Sequence, residues 1–315
     1  MKALNYKRVF DTLVEETKKY LLDNNLKSMV LGISGGIDST VTAAICHEVS
    51  KQTGIPLIGR SLPIKNKDNE FNTSRLVGNA FCDNFKTCYL EESYNKVLEN
   101  IISFEECVDE FGNPVASRKQ TPIANGNIQA RLRMMFLYNL ASIYNGLVMS
   151  TDNQTEYQLG FWTIHGDVGD FDPLQDLWKT EVYGLAEWLS NYYKDTLKSL
   201  DSVEEKLECC KMYEAMNESI GLTPTDGLGI SNSDLDQIGA KSYEEVDAIL
   251  QDYFDYCKYY NDLEHDHYSV NTYLEESTLH NVEPDIIEKV LRRHIASEFK
   301  RKKAPIYIER SKYEI

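Results

Sequence analysis

The stretch "VLGISGGIDSTVTA" (residues 30–43) decides how the rest of the chain is read. An apolar run enters Gly35-Gly36, then an Asp38-Ser39-Thr40 cluster, then a second largely apolar run. That pattern is a buried strand, a glycine turn and a helix N-terminus. A phosphate loop with lysine needs G-x-x-x-x-G-K-[ST], and no Gly-Lys pair occurs anywhere. A dinucleotide fingerprint needs G-x-G-x-x-G, which the spacing of Gly32, Gly35 and Gly36 does not give. A nucleophile elbow, G-x-S-x-G, is matched by Gly32 to Gly36. It would make Ser34 a nucleophile served by an acid and one of His165, His265, His267, His280 or His294. A pyrophosphate loop without lysine uses every polar residue of the stretch. The amides of Gly35, Gly36 and Ile37 face an anion at the helix N-terminus. Ser34 and Ser39 add hydroxyl donors, and Asp38 holds a Mg2+ travelling with the phosphates. The plain alternative is an ordinary turn with Asp38 or Ser39 as N-cap.

Outward from this stretch, strand and helix patterns alternate. Val9, Leu13, Tyr20 and Leu21 mark an amphipathic helix over residues 5–24. "KSMVLGI" (27–33), "IPLIGRSLPI" (55–64), "FKTCYLE" (85–91) and "GLVMST" (146–151) read as strands. Helices are predicted from residue 40 to near Gly54, over 69–82, over 127–145, and from Pro173 to residue 193. Residues 196–219 read as a charged helical segment without an assigned role, and 243–260 and 285–303 as two more helices. Residues 107–126, with a hairpin at "FGNP" (111–114), and residues 221–234 read as loops. The fold class expected is α/β, a doubly wound, mostly parallel sheet with flanking helices. One domain over residues 1–315 with helical C-terminal additions is the organisation expected.

The chain has 315 residues, is 42% hydrophobic and 26% charged, and carries a formal net charge of −17. Such acidity argues against a general nucleic-acid surface. The seven cysteines form no C-x-x-C pair, so thiols in a reducing compartment are expected. The N-terminus has no continuous apolar stretch of signal-peptide type, and no run is long enough to span a bilayer. A cytoplasmic protein with neither membrane nor nucleic-acid partners is the expectation.

Ser34-Gly35-Gly36-Ile37-Asp38-Ser39 resembles the SGGxDS loop of the N-type ATP pyrophosphatases, which cut ATP between the α and β phosphates and adenylate a substrate. Later segments resemble the NAD synthetases within that superfamily. "GNIQARLRM" (126–134) is similar to their Gly-Asn…A-R-x-R-M helix. The resemblance implies that Asn127 and Arg131 contact deamido-NAD and Arg133 contacts ATP. "STDNQTEYQLGFWTIHGD" (150–167) is similar to G-T-[DG]-[NH]-x-x-E-x-x-x-G-[FY]-x-T-x-x-G-D. It places Thr151 on ATP and pairs Glu156 with Asp38 as magnesium ligands. The next segment, to Lys179, resembles G-D-x-x-x-D-[IL]-x-P-[IL]-x-x-L-x-K with one residue fewer between Gly166 and Pro173, and Asp170 in place of the second Asp. It implies Asp167 at the nicotinate end and Lys179 on the phosphates and the reacting carboxylate. "PTDGLGISNSDLDQIGAKSYEEVD" (224–247) resembles a loop that closes over ATP. "FKRKKAPI" (299–306) resembles H-K-R-x-x-P, with Phe299 for His and with Lys300 and Arg301 on the dinucleotide. In "GRSLP" (59–63) Arg60 stands one place before the usual arginine near the adenine.

The ATP set thus expected is Gly32, Ser34, Gly35, Gly36, Ile37, Asp38, Ser39, Arg60, Arg133, Thr151 and Lys179, with Lys179 and Asp167 catalytic. The implied reaction is deamido-NAD + ATP + NH3 → NAD + AMP + pyrophosphate through an acyl-adenylate. No glutaminase domain is recognisable, so ammonia is the expected nitrogen donor, and the family implies a homodimer. The alternatives are another amidating ATP pyrophosphatase of the GMP synthetase kind and an ATP-binding module without turnover.

Overall fold

The structure, a computed structural model, describes residues 4–66, 68–105, 121–222, 234–259, 270–277, 279 and 282–301. In chain order the elements are α1 (Tyr6–Asp23), β1 (Met29–Gly32), α2 (Ile37–Thr53), β2 (Leu57–Ser61), α3 (Asp68–Phe81), β3 (Asn84–Thr87), α4 (Glu91–Glu105), α5 (Pro122–Ile143) and β4 (Leu147–Val148). After these come α6 (Gln154–Leu159), α7 (Lys179–Ser199), α8 (Val203–Gly221), α9 (Asp234–Ile238), α10 (Tyr243–Tyr259), α11 (Val270–Glu276), α12 (Pro284–Ala296) and α13 (Glu298–Arg301). The chain divides into two compact units: residues 1–154 with 162–234, and residues 155–161 with 235–315.

The first unit is the doubly wound α/β layer structure expected. Its strands pair parallel in the order β3-β2-β1-β4. Strand residues alternate between two apolar layers, as a two-residue period requires. Met29, Leu31, Leu57, Leu147 and Met149 pack with α1, α2, α3, α7 and α8. Val30, Ile58 and Val148 pack with Leu132, Leu137 and Ala141 of α5 and Tyr94 of α4. Each face is therefore sealed by helices, which is why the strands read as continuous apolar runs rather than alternating ones. From β1 the chain goes to β2 on one side, while β4 joins β1 on the other. The carboxyl ends of β1 and β4 thus flank a topological switch point, the place where such sheets bind ligands.

Several boundaries differ from the sequence reading. Helix α5 starts at Pro122, inside the segment read as loop, because Thr121 caps it by accepting from the Ala124 amide and Pro122 fits the first turn. Helix α7 starts at Lys179 rather than Pro173; the Glu181 carboxylate accepts from the Trp178 amide and fixes the later start. Helices α4, α6, α9 and α11 have no counterpart among the helices expected from the sequence. Strand β4 stops at Val148, where the Asp170 carboxylate accepts the Val148 amide at 3.0 Å and Met149 bridges to Phe171. The expected hairpin at 111–114 and most of the 221–234 loop lie outside the described residues.

The second unit has an apolar core of Val246, Ile249, Leu250 and Tyr253 from α10, Tyr273 from α11, and Ile286, Ile287, Val290 and Leu291 from α12. The six-residue helix α6 contributes buried Thr155 and Leu159.

Candidate active site

The loop Ser34–Ser39 leaves the carboxyl end of β1 and opens α2. Gly35 takes φ +90°, and a Cβ there would sit 2.7 Å from the Ser74 amide nitrogen of α3. Only glycine satisfies both the dihedral and the contact. The N-cap of α2 is Gly36, with no side-chain capping bond, so neither Asp38 nor Ser39 serves as the cap of an ordinary turn. Ser39 instead donates to the Gly36 carbonyl at 3.0 Å and lies 2.9 Å from the Ser34 hydroxyl. The Ser34 hydroxyl also accepts from the Gly36 amide at 3.2 Å. Its partners are thus a second hydroxyl and an amide, not the imidazole that a nucleophile elbow requires.

Asp38 lies in the first turn of α2, where the dipole favours its charge. One carboxylate oxygen accepts from Lys179 Nζ at 2.6 Å and the other from Asn153 Nδ2 at 2.8 Å. The Lys179 side chain is 2% exposed and that of Asp38 16%. Lys179 is the first residue of α7, and Asn153, wholly buried, lies between β4 and α6. Three separate segments thus converge beyond the strand ends. Thr151 lies on the same β4 exit, next to Ser150, whose hydroxyl donates to Asp152 at 2.9 Å. Asn153 was not singled out from the sequence, although it stands at the [NH] position of the resembled pattern, one place after Asp152.

A second cluster forms where α5 meets the turn at 163–167. The Asn127 amide oxygen accepts from the Thr163 hydroxyl at 2.8 Å. Arg131 Nη2 donates to the Ile164 carbonyl at 3.1 Å, and the Asp167 carboxylate accepts from the Thr163 amide at 2.6 Å. Arg133, on the same helix, donates from Nε to the Leu62 carbonyl at 3.0 Å and from Nη2 to Asn66 at 3.4 Å. Burial pushes its guanidinium below the usual arginine range, and the charges of Asp167 and Glu70 oppose that shift. Three expected substrate residues, Asn127, Arg131 and Asp167, therefore gather on one turn, with Arg133 directed to the β2 exit. Arg60 on β2 is buried, and its Nη1 donates to the carbonyls of Gly59 at 2.7 Å and Asn84 at 2.9 Å.

Glu156 lies in the first turn of α6, in the second unit, beside Thr155, whose hydroxyl donates to the buried Asp247 of α10 at 2.5 Å. Lys300 Nζ donates to the Gly160 carbonyl and Arg301 Nη1 to the Gln158 carbonyl, each at 2.6 Å. Asp170 accepts from the Tyr138 hydroxyl at 2.9 Å as well as from the Val148 amide, so it anchors the strand exit.

Two further contributors lacked any sequence signal of this role. Ser219 of α8, wholly buried, donates to the Gly35 carbonyl at 2.9 Å and lies 2.7 Å from the Thr40 hydroxyl. The segment without an assigned role thereby backs the loop. Asp172 accepts from the Leu174 amide at 2.9 Å, and its second oxygen is buried without a hydrogen-bond partner. Burial pushes its carboxyl up to about 7, and the charge of Asp38 adds to that rise against the opposing hydrogen bonds.

The donor set at Asp38 fits magnesium. The carboxylate already selects a cation, the Lys179 ammonium, and Mg2+ takes one or two carboxylates with phosphate oxygens and water making up the rest. Among the described residues no group of three or more His, Cys, Asp or Glu could hold an ion unaided.

The family profile described as NAD synthase matches residues 9–304. An NH3-dependent NAD+ synthetase of Thermoplasma acidophilum is 33% identical over 254 residues, 80% of this chain and 86% of that protein. One of Sulfolobus acidocaldarius is 28% identical over 301 residues, 95% of this chain and 88% of that protein. Among solved structures, NMN synthetase from Francisella tularensis superposes with TM-score 0.70 at 23% identity, covering 98% of this chain and 100% of that one. That likeness concerns the fold.

Proposed function

The chain belongs to the NAD synthase family, and on that premise we propose that it amidates deamido-NAD to NAD with ATP and ammonia. It is read as an ATP-dependent ligase of NAD biosynthesis. The observation that carries this reading is the meeting of Asp38, Lys179 and Asn153 at the uncapped start of α2. A hydrolase elbow has no use for a buried ammonium at that place.

The pyrophosphate of ATP docks on the first amides of α2, with the Ser34 and Ser39 hydroxyls turning toward it. Lys179 then exchanges its carboxylate partner for phosphate oxygen. Asp38 and, by the family pattern, Glu156 would hold Mg2+, which would neutralise charge on the leaving pyrophosphate. Arg133, Thr151 and Arg60 serve the nucleotide. Asn127, Arg131 and Asp167 hold the dinucleotide so that its nicotinate carboxylate attacks the α phosphorus in line, giving the acyl-adenylate with loss of pyrophosphate. Neutral ammonia then attacks the acyl carbon and AMP leaves. Asp167, exposed at the turn, takes the proton shed by the nitrogen. Lys300 and Arg301 belong to the dinucleotide side of the family pattern, and their donors lie here on carbonyls of residues 158–160. A homodimer and a cytoplasmic location complete the reading. Among the described residues no helix is long and apolar enough to cross a membrane.

The test is an assay with ATP, Mg2+, ammonium chloride and deamido-NAD, with xanthosine monophosphate in a parallel tube. NAD and AMP in equal amounts are expected from the first. AMP only from the second moves the substrate to a purine nucleotide, and ATP binding without AMP in either tube leaves a binding module.

A further inference from the structure

Helix α6 has six residues, too few to hold its own shape or direction in water. Its last carbonyls are nevertheless all accounted for, as buried backbone demands. Gly160, at φ +66°, closes the helix: the Phe161 amide donates to the Glu156 carbonyl at 3.0 Å and the Gly160 amide to the Tyr157 carbonyl at 3.4 Å. The three carbonyls left over are taken by side chains of α12, its cap and α13. His294 Nδ1 donates to the Gln158 carbonyl at 3.0 Å, joined by Arg301 and Ser297. Arg293 Nε donates to the Leu159 carbonyl at 3.1 Å while its guanidinium lies 3.7 Å from the centre of the Phe161 ring. Lys300 takes the Gly160 carbonyl. Cationic donors on a helix C-terminus oppose the negative end of its dipole, and the stack over Phe161 adds a cation–π contact. A Cβ on Gly160 would meet the Ser297 Cβ at 2.5 Å, so the end of α6 lies directly against the Ser297 side chain.

We propose that Arg293 and His294 are positioning residues: they clasp the C-terminal end of α6 and so set the direction in which Glu156, one turn earlier, presents its carboxylate. Neither residue is part of the family patterns described above. The proposal rests on the reading of Glu156 as a magnesium ligand. It predicts that loosening the clasp weakens metal binding with no loss of affinity for the dinucleotide.

The experiment is calorimetric titration of Mg2+ into the full chain saturated with α,β-methylene ATP, which cannot be cleaved between those phosphates. Arg293→Ala is expected to weaken Mg2+ about tenfold, the size of a typical positioning loss. Arg293→Lys should recover part of it, and Arg293→Ala in a Glu156→Gln background should add nothing to the Glu156→Gln loss. The KM for deamido-NAD should stay unchanged. His294→Ala is milder, because Arg301 and Ser297 remain on the same carbonyl; a loss of about threefold there carries the test if Arg293→Ala fails to fold. Wild-type metal binding in folded Arg293→Ala or His294→Ala, or additive losses in the double variant, would overturn the clasp. Unweakened Mg2+ in Glu156→Gln alone would overturn it through its premise. A wild-type enzyme that makes no NAD refutes the proposed reaction instead, and the titration reads independently of that.

Discussion

Helix α2 begins with amides that no side chain caps, whereas α6 ends with each of its final carbonyls taken by the Gly160 turn or by a side chain. Both ends sit next to a glycine in a left-handed conformation, Gly35 at φ +90° and Gly160 at φ +66°. The difference lies in the polar groups around each glycine. At α2 they bond to one another and leave the helix start open to an incoming anion. At α6 they close on the backbone and leave nothing for a ligand. An open helix end costs stability and is retained where something binds; a closed end fixes direction.

The comparison breaks most severely at Asp38. Asp38→Ala takes the carboxylate away from the buried Lys179 ammonium, and loss of one member of such a pair costs about 3–5 kcal/mol. Urea unfolding should show that loss, and AMP release from ATP should fall by about 10^3-fold or more, as for loss of a group that stabilises developing charge. Asp38→Asn should recover much of the stability and little of the AMP release.

Gly35→Ala comes next. Its Cβ meets backbone of α3, not a flexible side chain, so the left-handed strain of about 1–3 kcal/mol cannot relax cheaply. ATP affinity, read by fluorescence titration, should fall with it. The matching change in the second unit, Gly160→Ala, should cost about 1–2 kcal/mol in unfolding. If its ATP affinity falls as far as that of Gly35→Ala, the distinction between an open and a closed helix end is wrong.

Asp172→Asn gives the smallest and most pH-dependent effect. The folded state holds the Asp172 proton more tightly than the unfolded chain, with the group moved from 3.8 to about 7. Its stabilising contribution is complete below the lower value and is lost as pH rises through the upper one. At pH 8 the amide variant should melt higher than wild type by about 2 °C. Near pH 4 the advantage should vanish. An advantage that grows on acidification would contradict the burial of this carboxyl.

The sheet was legible because four apolar runs stood between turn residues and alternated with helical periods. The loop at 34–39 was legible because glycine, hydroxyl and acid occupy fixed places along a short stretch. What escaped notice acts across long separations. Ser219 and Asn153 are ordinary polar residues in sequence, and only folding places them against Gly35 and Asp38. Asp172 reads as a turn acid, yet its environment comes from Ser150, Asp152 and Asp38. Arg293 and His294 look like the basic last turn of any surface helix, since nothing local announces that α6 ends beneath them. The early start of α5 had a local signal, Thr121 followed by Pro122, that the turn-rich residues before it masked.

The bond from Ser219 to Gly35 spans 184 positions, and the Lys179–Asp38 pair spans 141. During synthesis the strands β1, β2 and β3 leave the ribosome long before either partner exists. A nascent chain ending ahead of α8 can carry a sheet and yet lack a finished seat for triphosphate, since domains assemble as their contacts become available. Nucleotide binding is then an event of late translation, and stalled chains of increasing length should acquire it only after residue 219 has cleared the exit tunnel.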